Sequence, residues 1–149
     1  MEVGKRVYYE LLTGNIFLIT PEMKGEGILQ PTPEQDKALY LALADKNEDA
    51  YSFIDLEYGQ YTQDFMECNG FRVDLTGEPT LVFSYPDPAE PEAPPVYQKP
   101  LTEKVAELEI QNNELMLAVA ELAVTSEQDK IETQLAIAEL ATIVTGGIA

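Results

Sequence analysis

Apolar and polar residues alternate in short runs over the first half of the chain and recur at helical spacing over its last third. Residues 7–12 and 16–20 flank Thr13-Gly14-Asn15, a pattern that predicts a β-hairpin. Thr32-Pro33-Glu34-Gln35 predicts a helix start, with a capping hydroxyl, proline at the first helical position and Gln35 placed for a capping box. That helix is expected to run to residue 46. Residues 51–58 alternate, putting Ile54, Leu56 and Tyr58 on one face of a half-buried strand. The stretch 60–68 reads as one short helix, stopped by a left-handed cap at Asn69-Gly70. Phe71, Val73 and Leu75, then Thr76-Gly77-Glu78-Pro79, then Leu81, Phe83 and Tyr85 predict a second hairpin. Residues 1–85 therefore read as an α+β domain, a small and mainly antiparallel sheet with one or two helices on one face.

The rhythm then changes. Pro86-Asp87-Pro88-Ala89-Glu90-Pro91-Glu92-Ala93-Pro94-Pro95 is half proline, which excludes helix and sheet and favours extended polyproline. Residues 86–100 are expected to be a semi-rigid hinge of about 30–40 Å, although a proline-rich ligand for an aromatic groove has the same composition. Thr102 and Glu103 then predict a helix start, the first as a cap and the second beside the positive helix end. Leu101, Val105, Leu108, Asn112, Leu115, Val119 and Leu122 follow at alternating spacings of four and three. This is a heptad seam, with leucine at every d position, valine at two a positions and Asn112 at the third. Residues 101–149 are thus expected to form an amphipathic coiled-coil helix that makes the chain a homo-oligomer, a dimer or a trimer. A helix packed back on its own domain has the same local pattern. Beyond Leu122 the seam meets Ser126 and Asp129, while Thr125-Ser126-Glu127-Gln128-Asp129 resembles a fresh helix start. A second stripe, Ile110, Leu117, Val124 and Ile131, runs at seven-residue spacing. Two apolar stripes suggest either a bundle of more than two helices or a chain that turns back as a hairpin. One continuous helix would be about 65 Å long, and Gly146-Gly147 would end it.

Composition adds a strong constraint. The formal net charge is −18, with 18 acids and 7 bases in residues 1–100 and 9 acids and 2 bases in residues 101–149. A field of that sign repels nucleic acid and anionic membrane surfaces, so neither is an expected partner. No apolar run approaches the roughly 20 residues that span a bilayer, and the opening residues lack the apolar core of a secretory leader. The chain has no histidine, the commonest general base and metal ligand. Its single cysteine, Cys68, has Asp64 and Glu67 nearby in sequence, which should raise the thiol pKa. Asp45, Asn47 and Asp49 match the first spacings of a calcium loop. Ala50 stands where that loop needs glycine, however, and Leu56 where it needs glutamate. No catalytic, metal or cofactor residues are therefore assigned.

Several phrases carry a resemblance: Val7-Tyr8-Tyr9 with Thr13-Gly14-Asn15, Leu56-Glu57-Tyr58-Gly59-Gln60-Tyr61 leading to Asp64-Phe65, and Val82-Phe83-Ser84-Tyr85-Pro86-Asp87-Pro88 ahead of Pro100-Leu101-Thr102-Glu103. In these the chain resembles small late-gene proteins of tailed phages and prophages of Gram-positive bacteria, encoded beside tail-fibre genes. The stretch from Val73 to Pro88 is also similar to the end of the small domain in tail-fibre assembly proteins. The resemblance implies a phage-tail context, and with no catalytic residues assigned the chain is expected to be a non-enzymatic, tail-associated protein that engages a tail-fibre or baseplate protein. It would act in the host cytoplasm during assembly or within the virion tail. Two other roles are compatible with the same features. One is an assembly chaperone not retained in the virion, and the other an acidic nucleic-acid mimic that inhibits a host defence protein.

Overall fold

The structure, a computed structural model, describes residues 1–147. It is an α+β fold that divides into two compact units, Met1–Lys104 and Val105–Ala149. In the first unit, β2 (Arg6–Glu10) is the central strand of an antiparallel sheet, flanked by β3 (Ile16–Ile19) and β5 (Tyr51–Asp55). A two-stranded ribbon joins β1 (Glu2–Val3) to β4 (Met23–Lys24), and the second hairpin joins β6 (Gly70–Asp74) to β7 (Thr80–Ser84). Both expected hairpins form in the expected places.

The central strand is covered on both sides. Val7 and Tyr9 face a core completed by Leu56, Val73, Leu81 and Phe83. Phe65 packs edge-on to Phe83 and Phe71, with ring centroids 5.1 and 5.4 Å away, a geometry that suits the quadrupoles of aromatic rings. On the opposite face Tyr8 lies among Phe17, Tyr51 and Phe53. There Asp36 accepts from Arg6 Nη1 at 2.8 Å and from the Tyr8 hydroxyl at 2.7 Å, while Arg6 Nε donates to Asp55 at 2.6 Å. These bonds satisfy the buried charges and pin the helix carrying Asp36 to the sheet. Burial opposes the charge on Arg6, but its bonds to Asp55 and Asp36 outweigh this and hold the guanidinium protonated.

The two sheets meet where backbones touch. Val73 N–H donates to the Gly14 carbonyl at 2.8 Å. Gly14 has φ of 72°, and a Cβ there would lie 2.1 Å from the Val73 oxygen, so only glycine fits this turn.

Four local expectations are corrected. The capping box of Thr32 and Gln35 forms, but the helix it starts, α1 (Pro33–Leu39), breaks at Tyr40, and α2 (Leu41–Ala44) follows. Tyr40 is extended, and the break turns Leu43 fully into the interior while Leu39 and Leu41 stay exposed. The strand over 51–58 stops at Asp55, because the chain turns through Gly59 at φ 78°. Tyr58 is consequently exposed rather than on a buried face. The helix α3 (Thr62–Glu67) ends at an extended Cys68, and Gly70 enters β6 instead of forming a left-handed cap. Finally, the first unit extends past residue 85. Gln98 and Phe83 exchange both backbone hydrogen bonds, at 2.8 and 2.9 Å, and Pro100 is fully buried. Residues 86–97 are exposed throughout, so the exposed connecting segment is shorter than expected.

Candidate self-association surface and the anchor of its helix

The helix α4 runs without interruption from Leu101 to Gly146, 46 residues. The hairpin alternative is therefore set aside. The apparent restart at Thr125 is absorbed within the helix, where its hydroxyl donates to the Glu121 carbonyl at 2.9 Å rather than capping a new segment. At its end Gly147 N–H donates to the Ile143 carbonyl at 3.0 Å.

The first turn of α4 is held by a residue that sequence reasoning did not assign to it. Asp64, on α3 and 1% exposed, accepts from the Leu101 N–H at 2.8 Å and from the Thr102 N–H at 3.4 Å. The hydroxyls of Thr102 and Tyr85 donate to the same carboxylate. Thr102 is thus a donor to Asp64, not the expected cap. The cap comes from 37 residues away in sequence, a carboxylate placed where the helix dipole is positive. Burial pushes the Asp64 carboxyl up, yet the bonds from Thr102 and Tyr85 outweigh it, and the group is held below the usual carboxylate range. The same environment pushes the Tyr85 phenol up to about 12, first through burial and then through Asp64.

Tyr61 braces this corner. Its backbone is left-handed, φ 57° and ψ 20°, a conformation that costs a β-carbon residue about 1–2 kcal/mol. The ring packs against Phe83 at 5.8 Å and its hydroxyl donates to Glu103. Burial, then Glu103, pushes this phenol up to about 12 as well.

The predicted seam residues all lie on α4. Leu101 is at the anchored turn, 36% exposed, while Val105, Leu108, Leu115, Val119 and Leu122 are between 54% and 70% exposed. Asn112 is exposed too, as is every other described residue from Val105 onward. The helix thus lines up the seven residues along one face and leaves all of that face uncovered in the single chain. Among the described residues no helix is long and apolar enough to cross a membrane, so a bilayer-spanning segment does not account for this surface.

Elsewhere the chemistry is quiet. Cys68 is half-buried with its thiol 3.5 Å from the Phe65 carbonyl, and its pKa is raised mainly by burial, with Asp64 a lesser contributor. An apolar groove between α1, α2 and β5 is lined by Pro33, Ala38, Ala44, Tyr51 and Phe53. Its rim carries the Lys37–Glu48 ion pair at 2.7 Å. No family model, curated protein or solved structure matches the chain.

Proposed function

We propose that this chain is a non-enzymatic interaction protein of a tailed phage, which self-associates through α4 and uses its first unit to engage a tail-fibre or baseplate protein. The observation that carries the self-association is the state of the helix. Every large apolar side chain from Val105 to Val144 is more than half exposed, on a helix whose proximal half repeats with heptad spacing. Contiguous apolar surface of this kind marks an interaction site, and a four–three repeat is matched by a partner helix winding at the same period. Asn112 supports a second copy as that partner. In a parallel pair in register its amide meets an identical amide, and both are satisfied. The same register sets Lys104 against Glu109 of the neighbouring helix, an attractive pair at the seam's edge.

The non-enzymatic part rests on a chain without histidine and a thiol pushed away from its reactive form. The phage tail is inferred from the resemblance of its layout and phrases to proteins encoded beside tail-fibre genes. Light scattering on the full-length chain and on Leu115→Asp tests the first part. The parent is expected to be oligomeric and the variant monomeric, because a carboxylate in the seam is neither paired nor solvated. A monomeric parent would refute the reading. Proteomics of purified particles tests the second part: a stoichiometric band is expected, and absence removes the protein from the virion.

A further inference from the structure

A seam of a and d residues occupies only one side of a helix, and α4 has a second ordered row outside it. Ala106, Ile110, Asn113, Leu117, Ala120 and Val124 also follow at alternating spacings of four and three. At 3.6 residues per turn the centre of this row lies about 150° around the helix from the first. Neither row contains a charged residue up to Val124, in a chain of net charge −18. On one side the strip between them carries Glu107, Glu114 and Glu121 every seven residues, Glu109 lies on the other side, and Glu103 precedes the second row one heptad before Ile110. Ile110, Leu117 and Val124 are 59–66% exposed. A two-stranded coiled coil would bury the first row and leave this one in water.

We infer that the second row is covered by a further copy of α4, so that the assembly holds more than two chains. This rests on the self-association proposed above and extends it. Three features select a copy of the same helix as the occupant. The row keeps the heptad period over about 27 Å, which only a long, supercoiling helix can follow. The helices of the first unit are at most seven residues long, so they are too short to cover it. The row also alternates small and large side chains, Ala106 with Ile110, Asn113 with Leu117 and Ala120 with Val124. Two such rows interdigitate when they run antiparallel, the large residues of one filling the gaps over the small residues of the other.

Native mass spectrometry on the full-length chain tests this with two variants. Leu117→Gln combined with Val124→Gln makes the second row polar with a good helix former and leaves the first row intact. Leu115→Asp disables the first row. The parent is expected at more than two chains, the double variant at two with its helical circular dichroism kept, and Leu115→Asp at one. A parent of two chains, or a parent mass that the double variant leaves unchanged, overturns the second row while the first stands. A monomeric parent overturns both.

Discussion

The carboxylate of Asp64 caps a helix and closes the core in one place. It takes two backbone N–H groups that an unassisted helix start leaves unsatisfied, together with two hydroxyls. Replacing it with asparagine keeps the shape but removes the charge and some accepting capacity, so Asp64→Asn should lower stability by about 1–3 kcal/mol at neutral pH. The pH dependence has a definite sign. The folded pKa is depressed below the unfolded value of about 3.9. Its contribution is therefore complete above the unfolded value and is lost as pH falls through the folded one. Urea titrations should show the parent's advantage over Asp64→Asn constant between about pH 7 and 5, then shrinking below about pH 4. An advantage unchanged in strong acid would show that packing, not charge, carries the effect. Asn112 is the other residue with a sharp expectation. In the seam it restricts register at some cost in stability. Asn112→Ile should melt higher than the parent and broaden the mass distribution seen by light scattering. If neither changes, Asn112 points to water in the assembly.

At the level of elements, the local signals were the legible ones. Two hairpins, the Thr32–Gln35 capping box and the start of a long C-terminal helix were all written in spacing and turn chemistry. The end of the first unit lies later than the proline content suggests, and the sequence carries a signal for it. Tyr97 is the one aromatic residue after Tyr85, and its ring lies 5.4 Å from the Arg72 guanidinium over the second hairpin. Proline content drew the boundary early, whereas the return of the chain to Phe83 depends on a strand edge 15 residues back. The consequence is testable with two fragments. Residues 1–104 should unfold cooperatively, while residues 1–86 should lose stability or fold incompletely, because Gln98, Pro100 and Thr102 are missing. Equal melting temperatures for the two would show that the last segment adds nothing to the core.

At the scale of the whole molecule, charge opposes the assembly that apolar surface drives. Each chain adds a net charge of −18 to an oligomer, and like charges resist being gathered. Salt screens that repulsion, the Debye length falling from about 30 Å at 0.01 M to about 3 Å at 1 M. Sedimentation at increasing sodium chloride should therefore show tighter self-association, since apolar seams are not weakened by screening. A dissociation constant that rises with salt would mean instead that ion pairs hold the chains together.

What the sequence determined alone is whatever depends on neighbours a few residues apart: the hairpin turns, the α1 cap, the heptad rows of α4 and the surplus of acid. Such features are set by backbone sterics and side-chain period, and they hold in any fold. The tertiary structure decided whatever needed a partner far along the chain. It broke the helix at Tyr40 to bury Leu43, joined Arg6 to Asp55 across 49 positions, and made Asp64 the cap of α4. No local pattern marks Asp64 for that task, because an acid beside a short helix is ordinary until folding brings a bare helix end against it. The same distinction separates the two halves of α4's role. Its periodicity predicts a partner, and in the folded chain that surface stays exposed to solvent.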